Sequence, residues 1–273
     1  MSDLVQLTLR GDMAERIEVE GLTADRVAAL SQAEIAKLPV FVGARRAQLG
    51  DFFDITGGRS ARIRIDGDLS RIDGVAAGMT AGEMLIFGNV GARAGAGMAG
   101  GWVDVRGDAG DDAGMAMSGG ALRITGNAGD RVGSAAPGAS KGMTGGEIIV
   151  GGFAGADVAA RVRRGLVVIG GDVGANAARA MIAGTLVAIG RTGPNPGRGS
   201  KRGTIVAAGG IEVPVTYRYA CTFQPTYIRL LFTYLRRQYG VFFRDEVLDG
   251  PYRRHCGDTG DPGKGEILEL LQL

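Results

Sequence analysis

The chain has 273 residues and 49 of them are glycine, more than double the roughly 7% that glycine holds in an average protein. Hydrophobic residues make up 45%, which excludes a disordered polymer, and only 8 prolines with no three-residue glycine period exclude collagen. A formal net charge of +2 gives no global pull toward nucleic acid or an anionic membrane, so neither is an expected partner.

Residues 1–11 are polar and lack the basic start and apolar core of a secretory signal. No apolar run approaches the roughly 18 residues of a membrane span. A soluble, cytoplasmic protein is expected. Residues 1–59 are expected to form an N-terminal cap. Within it residues 23–38 read as a helix, with Thr23 as N-cap and Pro39 as stop signal.

Residues 60–210 hold a repeat. Gly-x5-Gly recurs at Gly82–Gly88, Gly101–Gly107, Gly120–Gly126, Gly146–Gly152, Gly165–Gly171, Gly184–Gly190 and Gly203–Gly209. An earlier copy runs from Ala61 to Gly67. The closing glycines lie 21, 19, 19, 26, 19, 19 and 19 residues apart. Apolar residues alternate inside each copy, as at Val103 and Val105 or Leu122 and Ile124, which is the period of a strand. Nineteen residues are too few for a strand–helix–strand unit of roughly 30. The expected fold is therefore all-β: a right-handed parallel β-helix, a single-stranded solenoid of about eight 19-residue coils. Its hand follows the crossover preference, and its ends need caps containing short helices.

Met79, Met98, Met117, Met143 and Met181 each stand three residues before the first glycine of a copy, and Val162 takes the same slot in another. An apolar residue in that slot favours an inward stack of flexible side chains over a soft metal stripe. The spacing of 26 marks seven extra residues within 132–141. Such an insertion leaves the stack as a loop, either facing a partner or as a plain bulge. In residues 211–273 glycines thin out and aromatics appear. This C-terminal arm is expected to carry an amphipathic helix over 226–239, with Ile228, Leu231 and Leu235 on its apolar side.

The catalytic inventory is thin. His255 is the only histidine, which excludes a multi-histidine metal site. Cys221 and Cys256 cannot build a disulfide framework. His255 and Cys256 are adjacent, and chain neighbours rarely face each other as a nucleophile and base must. Glycine runs such as residues 95–100 mimic phosphate loops, but no long helix follows them. No catalytic residue and no metal is assigned to this chain.

Charge is more informative. Residues 153–211 carry Arg161, Arg163, Arg164, Arg179, Arg191, Arg198, Lys201 and Arg202 against only Asp157 and Asp172. The candidate binding residues are Arg161, Arg163, Arg164, Arg179, Arg198, Lys201 and Arg202, which face an anionic ligand or an acidic partner, or else are plain solvated turn residues. Arg163 and Arg164 hold the same offsets before Gly165 as Lys201 and Arg202 hold before Gly203. Ile182 and Ala183 fill those slots in the copy between, so the basic pairs are expected two rungs, roughly 10 Å, apart on one face.

The glycine repeat, the FFDITGG segment at residues 52–58 and the tail together resemble the C subunit of formylmethanofuran dehydrogenase. The repeat alone is similar to the C-terminal domain of the glutamate synthase large subunit, which leaves a structural module of such an enzyme as the alternative. The extension and tail favour the methanofuran family across nearly the whole chain. Its archaeal members belong to molybdenum or tungsten formylmethanofuran dehydrogenases, and its bacterial members to formyltransferase/hydrolase complexes. The bacterial complex works in tetrahydromethanopterin- and methanofuran-dependent one-carbon metabolism. A composition rich in Ala, Gly and Arg favours the bacterial setting.

The resemblance implies a non-catalytic scaffold. Its partners in the complex would be the amidohydrolase-like A, the B and the formyltransferase D subunits. It also implies that the seven basic residues contact either the polyglutamate tail of a methanofuran analogue or an acidic partner.

Overall fold

The computed structural model describes residues 4–11, 13–19, 21–240, 244–260 and 263–271. In chain order they form β1 (Val5–Leu9), β2 (Ile17–Val19), α1 (Ala24–Val27), α2 (Gln32–Ala36), β3 (Pro39–Val42), β4 (Arg45–Gln48), β5 (Phe53–Thr56) and β6 (Arg62–Asp66). The repeat region continues with β7 (Ile72–Asp73), β8 (Glu83–Phe87), β9 (Ala99–Val105), β10 (Gly119–Ile124), β11 (Glu147–Val150), β12 (Leu166–Ile169), β13 (Thr185–Ala188) and β14 (Arg202–Ala207). The tail adds β15 (Arg218–Phe223), α3 (Thr226–Tyr239), α4 (Asp245–Asp249), β16 (Tyr252–Gly257) and β17 (Lys264–Leu270). None of these helices is long and apolar enough to cross a membrane.

The expected β-helical solenoid of about eight coils is corrected by this arrangement. The described residues form a 13-stranded mixed sheet, ordered β15-β16-β17-β14-β13-β12-β11-β10-β9-β8-β6-β1-β5, beside a four-stranded sheet, β4-β3-β2-β7. Each repeat places a strand between its glycines, but it contributes only that one long strand to the large sheet. Between strands, successive copies meet through turns and isolated parallel bridges, such as Val90 to Ala109 to Ala128. The flanks, expected as helical caps, also supply strands. β5 pairs antiparallel with β1 at one edge, and β15, β16 and β17 pair antiparallel at the other.

Register follows the glycine period. Val103 pairs with Leu122, Leu122 with Ile148, Ile148 with Val167 and Val167 with Leu186. The 26-residue step is absorbed outside the ladder, so residues 132–141 leave β10 and β11 in direct contact. Close rung spacing explains the glycines. Gly88 has φ +150°, and a Cβ there would run into the carbonyl oxygen of Gly67 on the neighbouring rung.

Turns between rungs are tied by side chains that sequence periodicity overlooked. Asn89 Oδ1 accepts from the Asp108 N–H at 2.9 Å, and Asp108 Oδ1 from the Asn127 N–H at 2.7 Å. Each carboxylate or amide thus satisfies a backbone donor one rung further on.

The inner face of the sheet, with Ile63, Met84, Val103, Leu122, Ile148, Val167, Leu186 and Ile205, packs into the larger core. Met79, Met98, Met117, Met143 and Met181 are all buried there. The outer face of β11 to β14 and β17 packs Ile149, Val168, Val187, Val206 and Leu268 against Ile228, Phe232, Leu235 and Tyr239 of α3. The helix spans the residues its periodicity predicts, and Gly240 ends it at φ +66°, a left-handed position that suits glycine. Its tyrosines pin it to the sheet. Tyr234 and Tyr239 both donate to Glu147, and Tyr227 donates to Glu266 at 3.4 Å. Burial and the adjacent Glu147 push the Tyr239 hydroxyl well above its ordinary pKa.

The helix expected over 23–38 is two short ones. The break comes at Ser31, whose N–H and hydroxyl donate to Glu34 at 2.8 and 2.6 Å, so a capping box starts α2 afresh. Pro39 does stop helical structure, and it opens β3.

Candidate functional site

Four of the seven candidate basic residues meet around one cavity of about 470 Å³, lined by Arg163, Arg164, Ile182, Ala183, Lys201, Arg202 and Lys264. The parallel register brings them together. The Arg163 N–H donates to Met143 O and the Lys201 N–H to Met181 O, both at 2.8 Å, so each basic pair enters its rung at the same point. Arg202 lies opposite Lys264 on β17. Ile182 and Ala183, in the rung between, form an apolar floor. All five cations are exposed. Among the described residues none of the five is paired with a carboxylate.

Lys264 was missed from sequence because β17 lies outside the glycine repeat. Its signal is local. Lys264-Gly265-Glu266-Ile267-Leu268 repeats the pattern Arg202-Gly203-Thr204-Ile205-Val206, and those segments pair residue for residue.

Arg161 and Arg179 stand apart from this cluster. They line a second cavity of about 430 Å³ with Arg131 and the inserted loop. Arg179 Nε meets Asp157 at 2.7 Å, and Arg161 Nη1 donates to the Ala139 carbonyl of the loop at 3.0 Å. Arg131 meets Asp112 at 2.8 Å and Asp111 at 3.1 Å. Hydrogen bonds from Arg131 to Asp112 hold its guanidinium above the ordinary arginine pKa. Arg198 lies near Asp258. Burial acts to raise the Asp258 pKa, but the Gly199 and Gly260 N–H groups, Thr216 and the Arg198 charge together bring it below the ordinary value.

The five-cation cavity is suited to binding rather than to proton transfer. Arginine forks pair well with carboxylates, while spaced charges over an apolar floor fit a flexible anion with several acidic groups. Each exposed pair contributes only about 0.2–1 kcal/mol, so several must act together.

His255 does not assemble a nucleophilic site. Its Nε2 lies 3.3 Å from Glu269 and its ring meets the Tyr219 ring edge-on at 6.0 Å. His255 and Cys256 are consecutive on β16, and consecutive strand residues point to opposite faces. Among the described residues no group of three or more His, Cys, Asp or Glu is placed to hold a metal ion.

No family model matches the chain. The C subunit of the formyltransferase/hydrolase complex Fhc of Methylorubrum extorquens is 38% identical over 87 residues, which is 32% of this chain and 33% of that protein. The C subunit of the molybdenum-containing formylmethanofuran dehydrogenase 1 of Methanothermobacter marburgensis is 37% identical over 91 residues, 33% of this chain and 23% of that protein. These matches thus span a third or less of the curated relatives' length. A chain in the crystal structure of the formyltransferase/hydrolase complex (FhcABCD) from Methylorubrum extorquens, in complex with methylofuran, superposes with a TM-score of 0.87 at 36% identity. That likeness covers 98% of this chain and 100% of the other.

Proposed function

The chain belongs to the family of C subunits of formyltransferase/hydrolase complexes and formylmethanofuran dehydrogenases, and from that premise we propose that it is a non-catalytic scaffold of a cytoplasmic formyltransferase/hydrolase complex. In this reading it assembles with the A, B and D subunits in methanofuran-dependent one-carbon metabolism. Hydrolysis and formyl transfer occur on its partners. Its own contribution is a docking strip for the polyglutamate tail of a methanofuran analogue.

One observation carries the strip. Arg163, Arg164, Lys201, Arg202 and Lys264 converge on one cavity without an acid among its lining residues. A polyanion requires such spaced, unneutralised charge and no closed pocket. The tail's carboxylates would supply the missing partners, and long-range attraction would raise its local concentration.

The test is charge reversal of Arg163, Arg164, Lys201 and Arg202 to Glu in the assembled complex. The expected result is a complex of unchanged composition that no longer carries the coenzyme through purification. Dissociation of the complex would replace this reading with an interface for an acidic partner protein. Retention of both coenzyme and partners would leave the four charges without a binding role.

A further inference from the structure

An edge strand presents a row of backbone donors and acceptors to any chain that can pair with it, and charge or short length guards against this. Among the described residues three of the four sheet edges are guarded. β5 carries Asp54, held by Arg10 at 2.7 Å, β4 carries the exposed pair Arg45 and Arg46, and β7 is only two residues long.

β15 is the exception. It closes the large sheet and pairs there with β16 alone. Beyond Arg218 it reads Tyr219, Ala220, Cys221, Thr222 and Phe223, with no charge, proline or glycine. Its first five residues are exposed, Tyr219 by 60%, so neither face of the strand is covered over most of its length. A register shift lies between Tyr219 and Cys221, after which Cys221, Thr222 and Phe223 pair regularly with Arg254, Arg253 and Tyr252.

Two charges beside this edge are unanswered. Arg218 and Arg253 are exposed, and among the described residues neither forms an ion pair, whereas Arg254 is held by Glu266 at 2.7 Å. Glu269, opposite Arg253 on β17, is taken by His255 at 3.3 Å. β15 itself holds no acid, so a second copy of the strand would leave both arginines unanswered.

We propose that β15 is an interaction edge that takes an extended, acidic segment of a partner chain as an added strand. Backbone hydrogen bonds along residues 221–223 supply the affinity, as in other cases of strand addition. Arg218 pairs with Cys256 and Thr222 with Arg253, which puts the two arginines on opposite faces, so a carboxylate on each face of the incoming strand answers them. The proposal rests on the reading of this chain as a subunit of an assembly, and it names the edge through which a partner is held.

Amide hydrogen exchange of the full-length chain, free and within the purified complex, tests the edge on unaltered protein. The amides of residues 218–223 that point away from β16 are expected to exchange fast in the free chain and about tenfold or more slower in the complex. Arg218→Glu is expected to release the partner at a salt concentration that the unaltered complex survives, and Arg218→Lys to retain it. Equal exchange at these amides in an intact complex would overturn the proposal and leave the scaffold reading standing. Protection already present in the free chain, with a dimer in sedimentation, would assign the edge to a second copy instead. Unaltered salt resistance of the Arg218→Glu complex would contradict an acidic strand. A chain that enters no complex would overturn both readings.

Discussion

Two groups of basic side chains come from the same repeat and meet opposite fates. Beside the inserted loop, Arg131 and Arg179 are held by Asp111, Asp112 and Asp157 at 2.7 to 3.1 Å. At the strand entrances, Arg163, Arg164, Lys201 and Arg202 surround Ile182 and Ala183 and are joined by another cation, Lys264. The rung spacing is common to both groups. What differs is whether an acid occupies the neighbouring rung. A stacked repeat can therefore neutralise charge at one strip and expose it at another with no change of backbone.

Disturbing the shared spacing should remove the comparison at its root. Gly203 sits between the rungs of the basic strip at φ +110°, and a Cβ there would meet Met181 Sδ and lie 3.0 Å from Gly184 O. Left-handed strain of roughly 1–2 kcal/mol and overpacking of roughly 1–3 kcal/mol should together make Gly203→Ala cost about 2–5 kcal/mol in urea unfolding. An unchanged midpoint would show that close rung spacing is not needed.

Alkaline pH offers a second separation, because it loosens the end of the stack in part through Tyr217. Burial pushes the Tyr217 hydroxyl up to about 12, where it donates to Gly197 O at 2.9 Å. An unfolded tyrosine ionises near pH 10. The stability this group contributes is intact below about pH 10 and is lost as pH climbs toward 12. Tyr239 and the other tyrosines with raised pKa values add to the same alkaline loss. Tyr217→Phe should therefore make that part of the pH profile shallower without abolishing it, and an identical profile would rule Tyr217 out as a contributor.

Single arginine changes sharpen the contrast with smaller effects. Arg131→Ala is expected to cost about 0.5–1 kcal/mol, since it breaks partly exposed pairs. Arg164→Ala is expected to cost about nothing in stability and to weaken anion binding instead. The opposite ranking in unfolding experiments would reverse the assignment of structural and binding charges. The smallest effect is expected at His255. His255→Ala should leave turnover of the assembled complex within a few-fold of wild type. A loss of about 100-fold, equivalent to roughly 2.7 kcal/mol of barrier, would contradict a non-catalytic chain.

The strand positions were legible because glycines close them and apolar residues alternate inside, as at Val103 and Val105. The architecture was not. The glycine period says where a strand lies but not how many strands each copy adds, nor that the flanks join the same sheet. β15 carries no alternation to read, with five of its six residues exposed, and it is placed only by pairing with β16.

The basic site was legible where repeat phase is shared, at Arg163 and Arg164 with Lys201 and Arg202. Arg161, Arg179 and Arg198 do not share that phase, and local partners decide their roles. Asn89, Asp108 and Asn127 recur at 19-residue spacing in the sequence. Their meaning as backbone acceptors emerges only once the rungs are stacked.

The basic strip itself is tested most directly by titrating the full-length chain with an oligo-γ-glutamate at increasing salt. The expected result is binding at low ionic strength that weakens steadily as salt screens the charges and disappears when Arg163, Arg164, Lys201 and Arg202 are all reversed to Glu. Affinity unchanged by salt, or unchanged by that reversal, would contradict a polyanion site at these residues.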